Sequence, residues 1–97
     1  MRLEWSPFAL EDRDSIFDYI EQDNPRAAVI MDERLHDQTK LLMQFPECGR
    51  PGRIEGTREL FISSTHYIAA YQILGDTIRI LRVLHSAQLW PKGMSDT

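Results

Sequence analysis

The sequence has little cysteine, little lysine and no long apolar run. Cys48 is the one cysteine among 97 residues, which excludes an intramolecular disulfide and a multi-cysteine zinc site. Every apolar run is far shorter than the roughly 18 residues that span a bilayer. The first residues lack the apolar segment of a signal peptide, so we expect a cytoplasmic protein without membrane contact. This length suits one domain, which we assign to residues 1–91, with residues 92–97 as a frayed tail.

Positive charge is scarce and unevenly placed. The chain has two lysines and a net charge of −4. Residues 1–47 carry eleven acidic and five basic side chains, a balance of −6, whereas residues 48–97 carry four and six, a balance of +2. Affinity for nucleic-acid phosphates follows the number of cations presented, so the acidic total argues against non-specific nucleic-acid binding. The basic half could still offer a local face for an anion or an oppositely charged protein.

Two helix start signals lie in the first half of the chain. Ser6-Pro7 and Asn24-Pro25 each place an N-capping side chain before a proline that fits the first helical position. The first signal predicts a helix to about residue 22, and the second predicts an amphipathic helix of about 20 residues. The short turn between them predicts an antiparallel hairpin. We expect a solvated acidic side on the first helix, formed by Asp12, Asp14, Asp18 and Glu21.

Strand patterns occupy the N-terminus and the second half. Residues 2–5 alternate in polarity, and residues 57–63, 66–74 and 77–85 are rich in β-favouring side chains. Glycine and proline mark residues 46–56 as a loop, and Gly75-Asp76 is typical of a type II′ hairpin turn. The order predicts an α+β domain: an N-terminal strand, a two-helix antiparallel hairpin and a three-stranded antiparallel β-meander forming a twisted sheet. The predicted core is Leu3, Trp5, Ile16, Ile20, Leu35, Leu42, Leu60, Ile62, Ile68, Ile80 and Val83.

A series of short motifs, in order over residues 3–91, resembles the RelE/ParE toxin superfamily. The series includes Trp5-Ser6, Asn24-Pro25, Gly49-Arg50, Gly52-Arg53, Gly56-Thr57-Arg58-Glu59-Leu60, Ile80-Leu81-Arg82-Val83-Leu84-His85 and Trp90-Pro91. The resemblance implies the toxin of a type II toxin–antitoxin system, with growth inhibition, plasmid stabilisation and neutralisation by a cognate antitoxin. A chain of 97 residues leaves little room for an enclosed cofactor pocket, so we expect no cofactor.

The superfamily has two branches, and the resemblance leaves both open. RelE-like members cleave mRNA on the ribosome, in which case Arg58, Arg82 and His85 match nuclease residues: cations for the phosphorane and a general acid or base. ParE-like members inhibit DNA gyrase and lack that set. The competing interpretations are an ion pair of Arg58 with a helix carboxylate and a backbone contact of His85 at a strand end. The acidic total, and the absence of lysine from residues 57–85, favour the ParE-like branch.

Five side chains are candidates for contact with the target or the antitoxin: Arg50, Arg53, Arg58, Arg79 and Trp90. The arginines suit phosphate or carboxylate groups, and Trp90 could stack on a base. Arg50 and Arg53 could equally serve solubility alone. Three histidines and one cysteine without ligand spacing predict no metal site. The expected partners are an antitoxin and DNA gyrase, or, in the alternative, the ribosome and mRNA.

Overall fold

The computed structural model describes residues 1–87. Its elements, in chain order, are β1 (Arg2–Trp5), α1 (Pro7–Glu21), α2 (Pro25–Lys40), a short 3-10 helix (Leu41–Met43), β2 (Arg50–Pro51), β3 (Arg58–Phe61), β4 (Tyr67–Leu74) and β5 (Thr77–His85). The predicted α+β order is confirmed. The predicted tail at residues 92–97, and the domain end at residue 91, lie outside the described residues.

The five strands form one sheet in the order β1-β5-β4-β3-β2. β3, β4 and β5 make the predicted antiparallel meander, while β1 lies parallel to β5, with Arg2 opposite Thr77 and Trp5 opposite Ile80. β2 is an additional strand inside the predicted loop, and it pairs antiparallel with β3. The sequence pattern missed it because two residues show no alternation, and its proline is tolerated only because β2 is an edge strand.

Two local features shape the β4–β5 hairpin. Gly75 has a φ of +61°, and Asp76 is not among the residues with positive φ, as a type II′ turn requires. Farther along, Tyr71 lies opposite Ile80 but Ala70 lies opposite Arg82, so Leu81 is an extra residue in β5. Such a bulge increases the local twist of the strand. The hairpin turn was predicted from the sequence, whereas the bulge was not.

The helical hairpin begins at the predicted caps. The Ser6 hydroxyl accepts the Ala9 N–H at 3.0 Å, and the Asn24 side chain accepts the Ala27 N–H at 3.1 Å. α1 has 15 residues and α2 has 16, after which the 3-10 helix continues for three more. The second helix is therefore shorter in its α-helical part than the predicted length. Tight 3-10 turns are common at helix C-termini.

The core lies between the helical hairpin and one face of the sheet. Seven predicted core residues are buried, namely Ile16, Leu35, Leu42, Ile62, Ile68, Ile80 and Val83. The other four, Leu3, Trp5, Ile20 and Leu60, are partly buried against that core. Tyr71 is also fully buried, although it is absent from the predicted core list.

Leu42→Ala tests the assignment of the core. Leu42 is fully buried, so its truncation should lower the free energy of unfolding by about 2 to 5 kcal/mol. The neighbouring Leu41 is 51% exposed, and Leu41→Ala should change it by no more than about 0.5 kcal/mol. Urea unfolding of both variants makes the comparison. Equal losses in the two variants would contradict the core described here.

An ion pair joins the two helices beside β1. Arg13 donates to the two carboxylate oxygens of Asp32 at 2.6 and 3.0 Å, and its guanidinium lies 5.0 Å from the centre of the Trp5 ring. The hydrogen bond from Arg13 lowers the pKa of Asp32 from its ordinary value of 3.8. The pair therefore links α1, α2 and β1.

The lowered pKa of Asp32 predicts a pH dependence of stability. A carboxylate whose pKa is lower in the folded state stabilises the fold above the unfolded-state pKa, and this contribution is lost as pH falls through the folded-state pKa. Asp32→Asn should therefore be less stable than the wild type at neutral pH, and the difference should shrink below about pH 4. Asp37→Asn, at an exposed position of the same helix, serves as the control. Thermal unfolding from pH 3 to pH 7 measures the difference, and a gap that widens in acid would contradict the prediction.

Candidate functional site

Arg82 of β5 is held by Asp12 of α1. The Arg82 Nε and Nη2 atoms donate to the Asp12 carboxylate at 2.7 and 2.9 Å, and the Val83 N–H donates to the same carboxylate at 2.9 Å. The hydrogen bond to Asp12 also raises the pKa of Arg82. The prediction of a solvated Asp12 is wrong, because Asp12 lies one turn from the buried Ala9 and Ile16 and so faces β5. Arg82 is thus a neutralised, structural cation.

Arg58 and Tyr71 together clamp the loop before β2. Arg58 Nη1 donates to the carbonyl oxygens of Gly49 at 2.7 Å and Glu47 at 3.2 Å, so the competing interpretation of an ion pair with a helix carboxylate is wrong. The Tyr71 hydroxyl donates to the Pro46 carbonyl at 2.7 Å and accepts the Gly49 N–H at 3.0 Å. Burial raises the pKa of Tyr71, which keeps this donor protonated.

The close fit of this clamp requires glycine at position 49. A Cβ atom there would lie 2.6 Å from the Tyr71 hydroxyl and 2.8 Å from the Glu59 carbonyl oxygen. Backbone and a buried ring leave no room for such an atom. The Gly49-Arg50 motif is therefore explained by packing in the loop.

Glu59 is a buried carboxylate that holds the β2 segment. Its residue is only 3% exposed, and it accepts from Arg50 Nη2 at 3.1 Å and from the Arg53 N–H at 2.8 Å. The Arg53 Nε also lies 3.6 Å from the same carboxylate. These contacts give Arg50 and Arg53 a structural role within the chain. Sequence reasoning missed Glu59, although its strand alternation with Leu60 indicates that the two face opposite sides of the sheet.

The remaining arginine of the candidate set, Arg79, is also paired. Arg79 of β5 forms an ion pair with Glu4, its neighbour across the parallel β1–β5 ladder. Four of the arginines singled out from the sequence therefore contact carboxylates of the same chain: Arg50, Arg53, Arg79 and Arg82. The basic half of the sequence does not form a patch of uncompensated cations in the described part of the chain.

His85 ends β5 within a small aromatic group. Its ring stacks on His66, with centroids 5.5 Å apart, and meets Tyr67 edge-on at 5.6 Å. His85 Nδ1 accepts the Ala87 N–H at 3.2 Å, which matches the expected backbone contact at a strand end. Trp90, the predicted stacking residue, lies outside the described residues.

The candidate nuclease residues do not converge on one point. Arg58 lies opposite Tyr71, while His85 lies opposite Tyr67. The two positions are four residues apart along the sheet, about 13 Å, and two strands apart across it, about 10 Å. A single phosphate needs its cation and its acid within hydrogen-bond reach. The clamp also directs Arg58 toward the loop and away from His85.

Residues 1–87 offer neither a metal-binding cluster nor a membrane-spanning helix. They bring together no group of three or more His, Cys, Asp or Glu side chains that could hold a metal ion. Over the same residues, neither helix has the length and apolarity needed to cross a membrane.

The fold defines a small α+β domain, and comparison with known proteins gives the family. Residues 3–90 match the model of the ParE toxin of type II toxin-antitoxin system, parDE. The chain belongs to this family.

Individual relatives are similar over nearly their whole length. The chain is 42% identical over 91 residues to putative toxin Y4kP of Sinorhizobium fredii, covering 94% of each protein. It is 35% identical over 85 residues to toxin RelE2 of Caulobacter vibrioides, covering 88% of this chain and 94% of the relative. Among solved structures, it resembles a chain of the chromosomal ParDE TA system from P. aeruginosa with a TM-score of 0.81 and 28% identity, over 88% of this chain and 95% of that one.

Asp12→Ala tests the structural assignment of Arg82. The substitution leaves a guanidinium and the Val83 N–H without their acceptor, so it should lower the free energy of unfolding by about 1 to 3 kcal/mol. Asp14→Ala, at an exposed position of the same helix, should change it little. A double-mutant cycle with Arg82→Ala isolates the pair, and losses that simply add would contradict a direct interaction.

Proposed function

We propose that this chain is a ParE-like toxin that inhibits DNA gyrase by protein–protein contact and is neutralised by a cognate antitoxin in the cytoplasm. The main supporting observation is that four of the arginines singled out from the sequence form ion pairs within the chain. Arginine side chains that form ion pairs with Asp12, Glu59 and Glu4 contribute little to the binding of a phosphate backbone. The similarity to the ParDE structure supports the same branch.

The separation of Arg58 from His85 supports action without chemistry. An endoribonuclease of this superfamily needs a transition-state cation and an acid or base at one phosphate. Here Arg82 is neutralised, Arg58 clamps a loop, and His85 lies about 13 Å farther along the sheet. A binding surface needs none of these side chains to be chemically competent.

The alternative is a RelE-like, metal-independent endoribonuclease that acts on ribosome-bound mRNA. It is favoured by the name of one relative, toxin RelE2, and by the exposed His85 at the end of β5. In that case the chain would be an enzyme, with the ribosome and mRNA as partners.

His85→Gln separates the two functions. As a gyrase inhibitor, the variant should retain supercoiling inhibition, because no proton transfer is involved. As a nuclease, it should lose about 100-fold or more in cleavage rate. The purified wild type and variant are compared in a gyrase supercoiling assay and in a translation extract in which mRNA integrity is followed.

The control for folding is the melting temperature, which His85→Gln should not change because the residue is exposed. Loss of full-length mRNA with the wild type, abolished in a variant of unchanged melting temperature, would replace the gyrase proposal with the nuclease one. The absence of growth inhibition by the wild type expressed without an antitoxin would refute both.

A further inference from the structure

We infer that Arg58 and the pocket beside it form a subsite for one carboxylate side chain of the antitoxin, flanked by an apolar residue. The pocket has a volume of about 230 Å³ and is lined by Pro51, Gly56, Thr57, Arg58 and Ile73. It lies where β2 and β3 meet the end of β4. The inference rests on the proposed function in taking the antitoxin as the partner.

Arg58 differs from the other arginines singled out from the sequence, because its charge has no carboxylate partner within residues 1–87. Arg50, Arg53, Arg79 and Arg82 each contact a carboxylate. Arg58 contacts only two backbone carbonyls, both through Nη1, and no carboxylate of residues 1–87 lies within 4 Å of its guanidinium. Its other N–H groups have no acceptor within those residues. A partly buried guanidinium in this state binds an added carboxylate through charge-assisted hydrogen bonds.

The walls of the pocket indicate what accompanies the carboxylate. Pro51 and Ile73 are apolar, and Ile73 is 37% exposed. The Thr57 hydroxyl donates a hydrogen bond to the Ile54 carbonyl oxygen at 2.6 Å. One cation with two apolar neighbours fits an acidic residue next to an aliphatic one in an extended peptide.

A nucleic acid fits the same pocket less well. A phosphate backbone repeats its charges, and its affinity grows with each cation that it meets. Arg58 is the one such cation among the residues that line the pocket, and the neighbouring Arg50 and Arg53 are bound to Glu59. The net charge of −4 further opposes a polyanion. A single protein carboxylate is therefore the favoured anion.

The first experiment tests the subsite without an antitoxin. The ¹⁵N-labelled chain is titrated with the acetylated dipeptide amide Glu-Leu, with the Gln-Leu analogue as control. The amides of residues 56–58 and 73 and the Arg58 Nε–H signal should shift with Glu-Leu only, and Arg58→Gln should abolish the shifts. Arg26→Gln, at an exposed arginine of α2, should leave them unchanged. Equal shifts with both dipeptides, or none with either, would overturn the subsite.

The second experiment assigns the occupant. The affinity of the chain for the antitoxin that suppresses its toxicity in co-expression should fall about 10-fold or more in Arg58→Gln, the loss expected for a hydrogen bond to a charged group. Unlike alanine, glutamine retains an N–H donor for the loop carbonyls, and melting temperatures check the fold. Unchanged affinity for the antitoxin, with weakened gyrase inhibition, would overturn the assignment because the subsite would then serve the target.

Ile73→Glu keeps the test decisive if Arg58→Gln does not fold. This substitution places a carboxylate of the same chain beside Arg58 and should lower the affinity for the antitoxin by a similar factor. Leu74→Glu, the next residue of β4 and outside the pocket lining, should have little effect. Arg58-dependent binding of decameric oligoadenylate, tighter than that of the antitoxin, would overturn the inference in favour of a nucleic acid. A chain without gyrase inhibition that still binds its antitoxin through Arg58 would refute the proposed function alone.

Discussion

β5 extends beyond its parallel partner β1, and the backbone groups on this extension need hydrogen-bond partners. This requirement determines how the helices pack on the sheet. β1 ends at Trp5, opposite Ile80, but β5 continues for five more residues. Ser6 takes over the edge, since its N–H donates to the Ile80 carbonyl at 2.9 Å and its hydroxyl to the Leu81 carbonyl at 2.8 Å. Asp12 then accepts the Val83 N–H. A buried backbone group left without a partner costs about 1 to 3 kcal/mol, so these bonds fix where α1 lies on the sheet.

Two carboxylates each bind several donors at once and thereby hold arginine side chains. Asp12 completes the β5 edge and neutralises Arg82 with one carboxylate, and Glu59 likewise holds both Arg50 and Arg53. Charge that could have formed an exposed basic face is used to fasten loops and strands. This arrangement favours recognition of proteins over recognition of phosphate backbones. Among the arginines singled out from the sequence, Arg58 is the exception within residues 1–87.

Features that depend on adjacent residues could be predicted from the sequence, whereas contacts between distant residues could not. Ser6, Asn24 and Gly75 were correctly interpreted because caps and turns depend on a few adjacent residues. Asp12 was misinterpreted because its partner Arg82 is 70 residues away in the sequence. The acceptors of Arg58 are backbone carbonyls, which every residue carries, so no sequence signal marks them. Arg58 could therefore be identified from the sequence as a candidate site residue, but the pocket beside it could not be predicted.

The parallel pairing of β1 with β5 bears on the order of events during synthesis. Ser6 and Leu81 are 75 residues apart, so the first strand and the cap of α1 have no place to dock until nearly the whole described chain has been made. A nascent chain that has not reached β5 holds an unpaired N-terminal strand and an incomplete edge for α1. Contacts of such long range form late in folding. A chain that lacks β5 therefore has no completed sheet, because β5 lies between β1 and β4.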